Sequence, residues 1–206
     1  MSVILVGGGG HAKVVVEILR RLSCDVIGYC DDHAEVFEDY HYLGKVAELP
    51  SVDYPECSII VAIGDNRARK KIVGCLSKYN FYTAVHPTAA VADDAVIQHG
   101  TMIMANASVN SGTLVGCHVI INTNASVDHD CTIGDFAHVA PGSHIAGGVV
   151  VGEGTIVGIG SAVLPQVKIG DWVTIGAGSV VNHDIPDGAI VFGVPARIWK
   201  SSELES

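Results

Sequence analysis

Residues 115–138 read VGCHVI, INTNAS, VDHDCT, IGDFAH, each block of six opening on Val115, Ile121, Val127 or Ile133. The step of six continues outward in both directions, from Val85 to Val181, and all seventeen of its positions are Val or Ile. The residue four places on is small or short, as at Thr101, Ala107, Ala125, Cys131, Ala137 and Ser143. A period of six fits neither an α-helix nor a simple alternating strand. It is the hexapeptide signature of a parallel β-helix, where each repeat builds one short face of a prism. The β-branched residue, stiff at χ1 and suited to a strand, points inward, and the small one fits the corner. Three hexads complete a coil, so residues eighteen apart stack, and the repeat spans nearly six coils. Gly116, Gly134, Gly152 and Gly170 keep that spacing, which predicts one column of corners with a special backbone angle.

The column also sets the phase of everything else. His118, His129, His138 and His144 fall between column positions and are expected outside the prism. An outward imidazole is an available base near neutrality. His129 is distinguished by its neighbours Asp128 and Asp130, because a carboxylate can orient the ring and stabilise its protonated form.

The first third of the chain has a different pattern. Residues 2–6 (SVILV) read as a buried strand, 7–10 as a glycine loop, and 11–22 as a helix with apolar Ala12, Val15, Val16, Leu19 and Leu22. Gly7, Gly9 and Ala12 match the dinucleotide fingerprint. Further strands are expected at 25–29, ending in Asp31-Asp32, at 58–63, leading into Gly64-Asp65-Asn66, and at 81–85. Between the last two lies a basic helix, 67–76, whose Arg67, Arg69, Lys70 and Lys71 read as a solvated face. The expected division is residues 1–84 as a Rossmann-like nucleotide-binding domain and 85–206 as the β-helix with a C-terminal tail. At about 80 residues the first part is half a dinucleotide fold, which suits a nucleotide-sugar better than NAD.

The formal net charge of −10 argues against nucleic acid and anionic membrane as partners. No secretory signal or membrane span is read, and the six cysteines form no CxxC pair, so a cytoplasmic protein with reduced thiols is expected. Three histidines arranged as in the metal-dependent hydratases of this prism are lacking in the repeat, so no metal is expected.

Taken together, GGGGHAKVV at 7–15, AIGDN at 62–66, NTNASVDHDCTIGDFAHV at 122–139 and VFGVPARIW at 191–199 resemble the hexapeptide-repeat sugar acyltransferases of bacterial glycan synthesis. Within that family the chain is similar to the bacillosamine-pathway N-acetyltransferases and, more distantly, to sialic acid O-acetyltransferases. The resemblance implies a left-handed β-helix. It also implies acetyl-CoA as co-substrate and the 4-amino group of a UDP-4-amino-4,6-dideoxy-N-acetyl-hexosamine as acceptor. His129 is then the general base, Asp130 its support, and the Gly147 backbone the oxyanion donor. Asn122 falls in the sugar site. His138, Gly147, Ile159, Gly176 and Ala177 would meet acetyl-CoA. Gly9, Gly10, His11, Asp31, Asp32, Gly64, Asp65, Asn66 and Arg69 would meet the UDP-sugar. A homotrimer with interfacial sites is implied. The alternatives are a sugar O-acetyltransferase and a non-catalytic nucleotide-sugar-binding protein.

Overall fold

The computed structural model describes residues 1–33, 37, 40–51 and 57–200; parts of the acidic, tyrosine-rich segment before the third strand lie outside them. The chain opens with β1 (Ser2–Val6), α1 (Gly10–Arg21), β2 (Asp25–Cys30), β3 (Ser58–Val61), α2 (Asn66–Cys75) and β4 (Asn80–Phe81). The strands form one parallel sheet in the order β2-β1-β3-β4. Helix α1 forms because Ala12, Val15, Val16 and Leu19 recur on one face and are all buried. Helix α2 begins where Asp65 accepts the Ala68 amide at 2.7 Å, an N-cap. The single strand expected at 81–85 divides. Its first part stays with β3, and β5 (Ala84–Val85) pairs instead with Met102–Ile103 in the coil above.

From Ala84 on the chain is a left-handed parallel β-helix of about seven coils. Each face is a two-residue strand ending on the Val/Ile column, and pairing repeats every eighteen residues, as in Ile120 against Met102 and His138. The column residues from Ile103 onward, with Ala107, Val119, Cys131 and their equivalents, form one buried core. The final coil is two residues shorter, pairing Ile175 with Val191, and an antiparallel strand at Ala196–Lys200 closes the largest sheet.

The glycine column is present for a reason other than the one expected. Gly134 and Gly152 do not adopt left-handed angles. A Cβ on Gly134 would stand 2.8 Å from the backbone carbon of Gly152, and one on Gly152 would stand 2.4 Å from that of Gly170. Close approach of stacked coils demands glycine there. Left-handed angles fall instead three residues after the Val/Ile column, as on Asn106, His118, Asn124, Asp130, Phe136 and Trp172, with φ from 55° to 59°.

One face of the prism carries the first domain. Met102 and Ile120 point outward, yet both are fully buried against the α1 side, in a cluster with Val15, Val16 and Leu19. On the adjoining edge, His118, Phe136 and Trp172 hold the same coil position, with Gly154 between the last two, and α2 lies over them. The His118 and Phe136 rings lie 5.2 Å apart and nearly parallel, and the Arg67 guanidinium sits 4.4 Å from the Trp172 ring. Lys70 pairs with Glu153 on the same edge. His118, expected outside, is therefore buried. Arg67 and Lys70 are docking residues rather than a merely solvated face.

Candidate active site

After Val127 the chain turns from one face to the next through Asp128, His129 and Asp130. His129 Nδ1 lies 2.8 Å from Asp130 Oδ2. A carboxylate only accepts, so Nδ1–H donates and Nε2 keeps a free lone pair. Asp128 Oδ1 accepts the His129 amide and the Asn110 side-chain amide, both at 2.9 Å. The hydrogen bond to Asp130, and after it the charge of Asp128, hold the imidazole above its ordinary pKa. Its side chain is 61% exposed. The ring lies against Gly147 one coil on, where a Cβ would stand 2.5 Å from Nε2. Glycine at 147 is what gives the base its seat. Beside it runs an open groove of about 400 Å³ lined by Asn110, Asp128, His144, Ala146, Leu164 and Pro165.

A second cavity, of about 450 Å³, opens at the N-terminus of α1. Gly7 is required by its φ of +107°, with Ala62 O only 3.0 Å from a Cβ there. Gly9 and Gly10 are different: a Cβ on either would meet nothing within 4 Å. Packing does not require them to be glycine. They leave the backbone amides at the helix start open to the cavity, an arrangement that favours an anion. Asp31, Asp32, His11 and Gly64 also line it. The two acids divide the work. Asp31 accepts from the Gly8 amide at 2.6 Å and the His33 amide at 2.9 Å, which shapes the glycine loop. Asp32 uses one oxygen on the Val46 amide at 3.1 Å.

Between these sites lies a junction. Asn122 Nδ2 is 2.9 Å from His138 Nε2, and the His138 ring stands 6.5 Å from that of His11. His138 is outward on the prism as expected, but the first domain covers it. Burial, and then the charges of Arg69 and His11, push its pKa down to about 3. Burial likewise lowers His11 to about 4.

Arg69 and Asn66 depart from expectation. Arg69 is fully buried, and its guanidinium donates to the carbonyls of His118 (2.9 Å), Ile63 (2.9 Å), Gly64 (3.2 Å) and Phe136 (2.8 Å) and to Asn66 Oδ1 (2.9 Å). Five N–H groups meet five acceptors, leaving no donor for a substrate. Asn66 donates to Gly154 O at 3.0 Å. Both residues fasten α2 to the β-helix, and Asp65 caps it.

The residues expected at acetyl-CoA divide between two edges. Gly147 lies under His129. Ile159, 60% exposed, Gly176 and Ala177 follow the strands of the largest sheet, and a Cβ on Gly176 would stand 2.7 Å from Phe192 Cβ. The His129 groove and the glycine pocket share no lining residue. Sequence reasoning missed Asn110 and the aromatic edge. The spacing of His118, Phe136 and Trp172 at multiples of eighteen signalled the edge, as did apolar Met102 and Ile120 in outward positions. Among the described residues no three His, Cys, Asp or Glu converge as metal ligands, and no helix is long and apolar enough to cross a membrane.

Residues 2–76 match the family described as PglD N-terminal domain, and residues 148–183 the bacterial transferase hexapeptide (six repeats). A UDP-N-acetylbacillosamine N-acetyltransferase of Bacillus subtilis (strain 168) is 40% identical over 112 residues, 50% of this chain and 51% of that protein. The chain thus spans about half the length of that curated relative. Two solved structures match nearly throughout. The acetyltransferase domain of PglB from Neisseria gonorrhoeae FA1090, in complex with acetyl coenzyme A, is 36% identical with TM-score 0.91, covering 96% of this chain and 98% of that one. A histidine-to-asparagine variant of perosamine N-acetyltransferase from Caulobacter crescentus, in complex with CoA and GDP-perosamine, is 38% identical with TM-score 0.94, covering 98% of each.

Proposed function

The chain belongs to the hexapeptide-repeat sugar acyltransferases, and on that premise we propose that it transfers an acetyl group from acetyl-CoA to the 4-amino group of a UDP-4-amino-4,6-dideoxy-N-acetyl-hexosamine. The product is a UDP-N,N'-diacetylbacillosamine-type sugar. The observation that carries the proposal is His129, which has Nδ1 donated to Asp130 and Nε2 free over Gly147.

In the proposed reaction the amine attacks the thioester carbonyl while His129 Nε2 takes its proton. The C–N bond forms, the C–S bond breaks, and the imidazolium returns the proton to the departing CoA thiolate. Asp130 stabilises the imidazolium, and a Gly147 backbone amide serves the oxyanion. The diphosphate sits at the amides of Gly9 and Gly10, with the nucleoside towards Asp31 and Asp32. His138 lies near the thioester, and Ile159, Gly176 and Ala177 line the pantetheine path. Because the His129 groove and the glycine pocket lie apart in one chain, a neighbouring copy completes each site. We read the assembly as a homotrimer working in the cytoplasm.

A thiol-release assay with acetyl-CoA and a panel of nucleotide-linked sugars tests this. Release with UDP-linked 4-amino-sugars, and none with their 4-hydroxy counterparts, is the expected result. Release with hydroxyl acceptors alone would make the protein an O-acetyltransferase. Tight nucleotide-sugar binding with no release from any acceptor would make it a binding protein.

A further inference from the structure

Two imidazole nitrogens at the junction, His11 Nε2 and His138 Nδ1, are buried with no hydrogen-bond partner. Buried polar atoms are ordinarily paired, so the protonation of these two rings calls for an account. The Asn122 amide decides what His138 offers there. Its Oδ1 accepts the Thr123 amide at 2.8 Å, which fixes the side-chain orientation and turns Nδ2 towards His138 Nε2 at 2.9 Å. An amide nitrogen only donates, so Nε2 must be the acceptor, and in an uncharged ring the proton must then sit on Nδ1.

We infer that Asn122 is a positioning residue: it fixes His138 as the Nδ1–H tautomer and so presents a donor, not an acceptor, to the junction beside the nucleotide pocket. The groups facing the ring agree with this. His11 comes from α1, Arg69 from α2, and the Gly64 backbone, which lines the pocket, favours a proton at His138. Arg69 and His11 both oppose a second proton on the ring, so the Asn122 donor meets a lone pair at Nε2. The Nδ1–H then faces the Gly64 carbonyl, the backbone acceptor that favours a proton on the ring, so the tautomer set by Asn122 is the one that ties the prism to the first domain.

The test uses the full chain, labelled with ¹⁵N-histidine and free of substrate, so its outcome is independent of the thiol-release assay. Long-range ¹H–¹⁵N correlation reads each ring nitrogen, and a His138→Gln spectrum assigns the signal. The expected pattern is an unprotonated Nε2 and a protonated Nδ1, unchanged between about pH 8 and about pH 5. In Asn122→Asp a carboxylate that only accepts replaces the donor, and the proton is expected to move to Nε2. A wild-type proton on Nε2 overturns the inference. So does a ring that titrates near its ordinary value, or an Asn122→Asp spectrum identical to wild type. The wild-type measurement decides the matter even if the variant does not fold.

Discussion

His129 and His138 occupy the same β-helix, both outside the hexad column, and their environments are opposite. His129 stands on an open edge between two carboxylates, 61% exposed, with its basicity raised. His138 lies under the first domain, beside Arg69 and His11, with its pKa pushed to about 3. The repeat gives both rings their direction and nothing more. What covers a direction sets its dielectric and its neighbours, and those set whether the ring moves protons. One edge is left for proton transfer, and on the covered face the histidines stay uncharged beside the Arg69 cation.

The comparison breaks most directly at its exposed end. His129→Ala removes the imidazole whose Nε2 is left open to accept a proton at that edge. Turnover in the acetyl-transfer assay is expected to fall about 10²–10⁴-fold, the usual contribution of a general base. The folded state should be unaffected, because the ring is largely exposed and rests on Asp130 and the Gly147 surface. Near-normal kcat in this variant would end the contrast, since the two histidines would then be equally dispensable.

At the covered end the corresponding test is Arg69→Met, which leaves five acceptors without their donors in a buried place. Removing one partner of such a network costs on the order of 3–5 kcal/mol. The loss should appear in urea as early unfolding of the α1/α2 half, while the β-helix, with its own core, persists. An unchanged midpoint would mean that α2 is not what closes the junction.

The hexad column made the prism legible from Val85 to Val181, and with it the outward setting of His129. The glycine loop and its flanking elements were equally readable, because Gly9 and Gly10 follow a strand and precede an amphipathic helix. Gly134 and Gly152 were read in the right place for the wrong cause. Periodicity locates a tight position but does not distinguish a turned φ from a close neighbouring coil. Arg69 and His118 escaped for another reason. Their burial depends on which face the first domain covers, a tertiary fact that no local pattern in α2 contains. Its trace was in Met102 and Ile120, apolar residues in outward positions. That signal becomes clear only when residues are compared eighteen apart.

A smaller effect sharpens the exposed side. In Gly147→Ala a methyl would meet the His129 ring, 2.5 Å from Nε2 as it stands. The ring is the free end of an exposed side chain and would swing aside at little cost to stability. Displacing a base by about 1 Å is enough to cost on the order of 10²-fold. The expected signature is a fall in kcat with an unchanged melting temperature. A parallel loss of both would mean that Gly147 serves the coil rather than the base.

The finest test titrates the covered side. His11 and His118 are lowered to about 4 and His138 to about 3, each chiefly by burial, against about 6.5 in an unfolded chain. Above pH 6.5 neither state binds these protons, and stability is flat with respect to them. Between about 6.5 and 4 the unfolded chain binds protons that the folded one refuses, so stability falls as pH falls. Each such histidine contributes a slope of at most about 1.4 kcal/mol per pH unit, less whatever solvent screening removes. His129 has the opposite sign: its contribution is complete below its unfolded value and is lost as pH rises through the raised folded one. His118→Phe should keep the stack on Phe136, 5.2 Å away, and remove one proton from the acid slope, read as urea midpoints at a series of pH values. A slope unchanged by that substitution would mean that the His118 ring takes up its proton inside the fold. The cover of α2 would then not be what separates the two sides.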